Sequence, residues 1–225
     1  MKWLILLLPF LVACNEIEVV SEVVEETVEQ VVEEVVVDTR IPRLARVHQR
    51  QLTIIAQREM GLGAPVSLFA AQIHQESAWR DDVATGLLKS TAGAEGLAQF
   101  MPRTATWISE LYPELGEADP YSPTWAFTAM IKYNQWLLAR SKGHTSCDKW
   151  WWALRSYNGG LGHIQNEAKN AVDPLDRHSV AEACGTARRS PVHCPENTQY
   201  PQKIIHRWEP IYLNSGWRGS ATCHK

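Results

Sequence analysis

Between Asn15 and Asp38 the chain carries nine acidic side chains and no basic one, and this break confines any globular fold to the residues after it. Valines stand at 19–20, 23–24, 28, 31–32 and 35–37 among the acids. Their spacing follows a helical period, not the alternation of a strand. Valine is stiff at χ1 and crowded glutamates repel, so a helix with this pattern is marginal. Two readings stay open for the segment. One is an amphipathic spacer helix, self-associating through its valines and reaching about 35 Å at 1.5 Å per residue. The other is a disordered acidic linker, since such a composition cannot bury a core. Under both, residues 40–225 hold the folded domain.

The residues before the break bear on location. Met1-Lys2-Trp3 is a short charged start, and Leu4 to Val12 is an apolar run. That run is too short to span a bilayer and has the length of a signal-peptide core. It ends in Leu11-Val12-Ala13-Cys14, which resembles a bacterial lipobox. The resemblance implies that 1–13 is a lipoprotein signal peptide, that Cys14 is lipidated and becomes the mature N-terminus, and that 14–39 is a tether. An ordinary signal peptide with a chance cysteine and a degenerate membrane anchor are the alternatives. A single acyl chain holds weakly and several hold stably, so a triacylated Cys14 is a durable membrane anchor. Asn15 after the cysteine favours the periplasmic face of the outer membrane, whereas Glu16 argues for retention at the inner membrane.

Setting aside Lys2 and the nine acids of the tether leaves 21 of the 22 basic side chains against 16 of the 25 acidic ones. This mildly basic domain suits a carboxylate-rich polymer. It shows no stripe of basic residues interleaved with aromatics, so no nucleic-acid partner is expected. Besides Cys14 the cysteines are Cys147, Cys184, Cys194 and Cys223, an even set that favours disulfides in an exported protein. Cys184 and Cys194 flank a short Gly/Pro-containing loop and close most easily, which leaves Cys147 with Cys223. A zinc site built on Cys184, His193 and Cys194 is the alternative, but no CxxC or HxxxH spacing supports it. Neither metal nor cofactor is expected.

The domain reads as all-helical. Helical apolar spacing runs from Ile41 to Met60, from Val66 to Glu76, from Arg103 after the breaker Pro102 to Leu111, and from Ser122-Pro123 to Ala139. Further helices are predicted over Cys147 to Tyr157, stopped by Gly159-Gly160, and over Tyr200 to Leu213. The irregular stretch 81–95 leaves room for a small hairpin. Trp150-Trp151-Trp152 cannot share one side of a helix, so at least one is expected to be exposed, in a binding groove, on a partner surface or by accident of packing.

Three short blocks carry chemistry: Gln75-Glu76-Ser77-Ala78-Trp79, Gly93-Ala94-Glu95-Gly96-Leu97-Ala98-Gln99-Phe100-Met101, and Ser156-Tyr157-Asn158-Gly159-Gly160. In this order they resemble the catalytic domain of the soluble-type lytic transglycosylases, with a goose-lysozyme-like fold, over roughly Ala64 to Tyr212. Glu76-Ser77 is similar to the family's Glu-Ser pair. Gly96 to Gln99 is similar to Gly-Leu-Met-Gln, with Ala98 for methionine and Met101 nearby as a replacement. Tyr157-Asn158 is similar to the end of Ala-Tyr-Asn, with Ser156 for alanine. Glu196-Asn197-Thr198-Gln199-Tyr200 is similar to Glu-Thr-x-x-Tyr, with the threonine displaced by one.

The resemblance implies a peptidoglycan-cleaving enzyme in which Glu76 is first acid and then base. It protonates the oxygen linking MurNAc to GlcNAc and then activates the MurNAc 6-hydroxyl, which closes a 1,6-anhydro ring without water. A carboxyl can deliver that proton at neutral pH only if an apolar surrounding raises its pKa. Glu76 ends an apolar helix, and Trp79, Phe100 and Met101 are expected to line its pocket. Ser77, Gln99, Tyr157, Asn158 and Tyr200 are the implied substrate-binding residues, with Gly93 and Gly96 letting the backbone approach the sugar. His74 lies two residues before Glu76 and is assigned no role. A hydrolysing muramidase on the same fold, such as a phage lysis factor, and a non-catalytic peptidoglycan-binding lipoprotein are the alternatives.

The lipobox reading has a direct test. Cys14→Ala is expected to abolish incorporation of labelled acyl chains and block signal-peptide removal. A soluble mature protein beginning at another residue overturns it.

Overall fold

The computed structural model describes residues 40–223. The segments read as a signal peptide (1–13) and as a tether beginning at Cys14 (14–39) lie outside the described residues. The described domain is all-α.

Helix α1 (Arg43–Met60) buries Leu44, Ala45, Leu52, Ile55 and Ala56, and it stops where Gly61 turns left-handed with φ 82°. Helix α2 (Val66–Ser77) follows Pro65 and runs through the middle of the core. Nine of its twelve residues are buried, Val66 through Ile73 and Ser77. A short α3 (Asp81–Ala84) and a series of turns then fill the stretch in which the sequence left room for a hairpin. Strand pairing among the described residues is limited to an isolated antiparallel bridge between Glu95 and Phe100.

Helix α4 (Pro102–Leu111) has Pro102 as its first residue. Proline fits there because its fixed φ suits a helix and its missing N–H is not needed. The residue read as a breaker is therefore the start of the helix. Helix α5 (Pro123–Leu138) has the same feature, with the Ser122 hydroxyl accepting from the Trp125 amide at 3.4 Å. Helix α6 (Ser146–Gly159) opens on a reciprocal capping box between Thr145 and Asp148.

The sequence reading ended this helix at two glycines and placed no element before Tyr200. Gly160, with φ 88°, is a hinge instead, and α7 (Leu161–Asn170) begins directly after it. A shorter α8 (Arg177–Glu182) follows, capped by Asp176 on the Ser179 amide at 2.7 Å. These helices surround α6, which packs on α5, α7, α8 and the later α9. All three tryptophans of the triplet are buried as a result, at 8, 7 and 1% exposure for Trp150, Trp151 and Trp152. The expectation of an exposed member fails because α6 has neighbours on every side. Trp152 joins Ile164, Ala168 and Val180 in a small second core.

The last helical run is longer than the stretch from Tyr200 to Leu213. It comprises α9 (Cys194–Lys203), a π-helical turn over Ile204–Trp208, and α10 (Glu209–Asn214). The π turn and α10 pack on α2. The C-terminal strap returns to the body. The Arg218 carbonyl accepts from the Ser67 amide at 2.9 Å, Trp217 packs against Tyr212 and Trp79, and the Thr222 hydroxyl donates to Glu209 at 2.6 Å.

Two disulfides close this architecture. Cys147 pairs with Cys223 across 76 residues, and Cys184 pairs with Cys194 across 10. Each bridge is expected to contribute roughly 2–4 kcal/mol, mainly by restricting the unfolded chain. Urea unfolding of Cys184→Ser/Cys194→Ser and Cys147→Ser/Cys223→Ser against wild type checks this. A loss below about 1 kcal/mol in both double variants contradicts it.

Candidate active site

Glu76 sits in the last turn of α2, and the chain reverses immediately beyond it. Ala78 and Trp79 both adopt left-handed backbone, φ 50° and 56°, without being glycine. Such strain collects at functional sites, where the surrounding fold enforces it. The enforcing contacts are visible. The Ser77 hydroxyl donates to the Ile73 carbonyl at 3.1 Å and accepts from the Trp79 amide at 3.3 Å. The Trp79 indole donates to the Ala70 carbonyl at 3.1 Å and packs against Phe127 and Trp217. Trp79 is thus a buried anchor behind the turn and not a wall of the Glu76 pocket, a correction to the sequence reading. Its ring is drawn into the core by the same reversal that leaves Glu76 at the surface of a cleft.

Two cavities of about 410 and 430 Å3 meet at Glu76, Ser90 and Gln99. Together they form a groove passing Glu76 on both sides. Phe100, Met101, Tyr133 and Tyr157 give the larger cavity an apolar wall. Gln99 reaches this position through a tight turn in which Glu95 and Phe100 exchange two backbone hydrogen bonds, at 2.9 and 3.0 Å. Gln99 is itself left-handed, φ 50°, and its amide donates to the Gly96 carbonyl at 2.8 Å. Gly96 is needed for packing. A Cβ there would lie 1.8 Å from the Pro120 carbonyl oxygen. The close approach is to protein backbone, not to the sugar for which the sequence reading reserved it. Gly93 has φ 83° and open space around it.

The Ala98 side chain is fully buried, and its carbonyl accepts from the Tyr157 hydroxyl at 2.8 Å. Met101 does not replace a methionine at that position, because it is 46% exposed along the cavity. Tyr200, on α9, donates its hydroxyl to the Glu76 carboxylate. Burial and the neighbouring Glu76 charge hold the hydroxyls of Tyr157 and Tyr200 well above the usual phenol range.

Burial also pushes the Glu76 carboxyl up, to about 8. The Tyr200 hydrogen bond pulls the other way, and the charge of Glu196 adds to the rise. A carboxyl in this state is protonated at neutral pH and can give up a proton. His74 also borders the groove, where it stacks on Trp208 at 4.0 Å and shares a hydrogen bond with Tyr212 at 2.9 Å. Its burial, with Arg207 nearby, lowers its pKa to about 4, so it is neutral.

Asn158 lies on the groove at the end of α6, held by a buried polar network that the sequence reading missed. Its carbonyl oxygen accepts from Asn197 at 2.9 Å, and its amide donates to Glu196 at 3.3 Å. Asn197 is bonded in turn to the Arg155 carbonyl and guanidinium, at 2.9 and 3.0 Å. Glu167 of α7 bridges Arg155 and Arg189, at 2.7 Å each. These partners come from α6, α7, the disulfide loop and α9, all within residues 155–197. No sequence signal marked them, because the burial of Glu167 that demands charged partners exists only in the folded chain.

The profile of the transglycosylase SLT domain family matches residues 53–180. In structure, the chain is similar to the 70 kDa soluble lytic transglycosylase from Escherichia coli, with a TM-score of 0.54 and 20% identity. The match covers 77% of this chain and 30% of that protein, so the chain spans less than a third of the length of the protein it matches. At this identity the likeness establishes a shared fold. No curated protein matches by sequence.

The raised carboxyl makes a stability prediction. Between the ordinary value of 4.5 and about 8 the folded state holds a proton on Glu76 that the unfolded chain releases. The stability contributed by this group therefore falls as pH rises through that window. Glu76→Gln keeps the shape without the titration, so it is expected to raise Tm at pH 9 by about 2–4 °C or more, and to change it little at pH 4. Equal Tm shifts at the two pH values contradict the raised pKa.

Proposed function

The chain belongs to the transglycosylase SLT domain family, and on that premise we propose that it is a peptidoglycan lytic transglycosylase. The observation that supports this most is the protonated carboxyl of Glu76 in a two-sided groove, joined by the Tyr200 hydroxyl. A glycan strand lies along the groove with its MurNAc–GlcNAc link over Glu76. Glu76 gives its proton to the bridging oxygen as the C1–O bond breaks and positive charge develops on the MurNAc ring. The carboxylate so formed takes the proton of the MurNAc 6-hydroxyl as that oxygen bonds to C1. The products are a free GlcNAc end and a 1,6-anhydroMurNAc end, and the proton returns to Glu76.

Tyr200 stabilises the carboxylate between the two steps through its hydroxyl. Tyr157, turned away by its bond to the Ala98 carbonyl, presents its ring to the sugar. Asn158 and Gln99 serve the N-acetyl and hydroxyl groups. Ser77 supports the turn rather than the sugar, because both its hydrogen bonds go to backbone.

Glu196 supports a second reading. It is the other carboxylate on the larger cavity, and its charge acts on Glu76. A hydrolysing muramidase would use it to activate water. Its engagement with Asn158 and its exposed position favour the lytic route, in which one carboxyl performs both steps.

The location belongs to the same proposal. Residues 1–13 direct export, Cys14 carries lipid, 14–39 spaces the domain from the membrane, and 40–225 works in the periplasm. Among the described residues no helix is long and apolar enough to cross a membrane.

Mass spectrometry of fragments released from purified sacculi tests the activity. Anhydro ends, each lighter by one water than a reducing end, are expected from the wild type. Glu76→Gln is expected to retain less than about 1% of the rate, in keeping with loss of general acid catalysis worth 10²–10⁴-fold. Reducing ends alone favour hydrolysis. Undiminished cleavage by Glu76→Gln removes Glu76 from the mechanism.

A further inference from the structure

We propose that the cavity between the start of α7 and the Cys184–Cys194 loop is a second binding pocket, which receives a carboxylate of the peptide arm carried by the glycan strand. This rests on the peptidoglycan reading above. The cavity has a volume of about 420 Å3 and shares Asn158 and Glu196 with the larger catalytic cavity. The two cavities therefore adjoin at Asn158 and Glu196. In peptidoglycan the group that leaves the sugar chain sideways is the peptide on the MurNAc lactyl arm, and it bears free carboxylates.

The lining beyond Asn158 is cationic. Two guanidiniums, Arg155 and Arg189, flank the single carboxylate of Glu167, and the three are 1, 7 and 0% exposed. One positive charge is left over in the protein interior, and Arg189 carries it to the cavity wall. A buried charge without a counter-charge is costly, and an anion in the cavity offsets that cost. Arg188 is exposed on the same wall, and no described hydrogen bond or ion pair engages its guanidinium. Nδ1 of His163, which also lines the cavity, is buried without a partner. Ser190 and His193 add exposed polar groups. The one acid, Glu196, stands at the catalytic end, bonded by Asn158. The cavity therefore runs from an acidic rim at the glycan to a cationic far end. That polarity fits a chain leaving the sugar and ending in a carboxylate on Arg188.

The wall that carries Arg188, Arg189, Ser190 and His193 is the loop closed by Cys184–Cys194, and it lies outside the residues 53–180 that match the family profile. The disulfide closes the loop that carries the pocket's cationic side.

The test compares the full-length protein with Arg188→Glu and Arg188→Lys on two substrates: intact glycan strands, and strands stripped of peptide by an amidase, which retain the lactyl carboxylate. The ratio of kcat/KM for intact over stripped strands is expected to fall about tenfold in Arg188→Glu, a 1.4 kcal/mol effect, and to be largely kept in Arg188→Lys. An unchanged ratio overturns the proposal, whether both rates fall together, as they would if the lactyl carboxylate were the ligand, or neither falls. A parallel calorimetric titration uses stem peptides released by the amidase. Binding to the wild type that Arg188→Glu abolishes supports the pocket, and absence of binding to the wild type rejects it. Wild-type protein that cuts neither substrate refutes the peptidoglycan activity, while the titration still decides the pocket.

Discussion

The hydrogen bond between Tyr200 and the Glu76 carboxyl joins the two halves of the domain at the point where the chemistry is proposed. Glu76 arrives on α2, the most deeply buried helix, and Tyr200 arrives on α9, after the disulfide loop. Burial alone would keep the carboxyl protonated and inert as a base. The tyrosine hydroxyl supports the anion that must exist between the two proposed steps. The two opposing influences leave the group at about 8, close enough to neutrality for the proton to move both ways.

Much of the fold serves to keep that pair in register. The π-helical turn and α10 grip α2 from one side, and the C-terminal strap is tied to α6 by Cys147–Cys223 and to α2 by the bond from Ser67 to Arg218. The left-handed residues Ala78 and Trp79 reverse the chain directly after the acid, with the Trp79 indole locked into the core. On the far wall, the Arg155–Glu167–Arg189 network fixes Asn158 from behind. Gly159 is part of that wall, since a Cβ there would lie 2.4 Å from the Arg189 guanidinium. The same network leaves the surplus charge that points toward a carboxylate ligand.

What was legible in the sequence follows from which signals are local. Helices α1, α2, α5 and α6 carry long apolar stripes or clear caps, and their limits were readable to within a few residues. Helix α7 was not, because its buried face is only Ile164, Glu167 and Ala168, and because Gly159-Gly160 reads equally as a terminator and as a hinge. The tryptophan triplet misled because helical geometry cannot reveal that α6 has neighbours all round. In the site, the blocks at 76, 96–101, 157–158 and 200 announced themselves as motifs and converge on one groove. Their supports did not. Glu167 and Arg189 bear no motif, and the burial that makes them matter exists only after folding. The role of Gly96 was likewise hidden, since the Pro120 carbonyl that excludes a side chain there lies 24 positions away.

The protonation state of Glu76 in the free protein decides the central claim. Infrared difference spectroscopy of wild type minus Glu76→Gln across pH isolates the carbonyl stretch of this one carboxyl. A protonated signal that persists through neutrality and disappears near pH 8, moving higher still in Tyr200→Phe, is the predicted result. A carboxyl already ionised at pH 6, titrating near its ordinary value of 4.5, contradicts it.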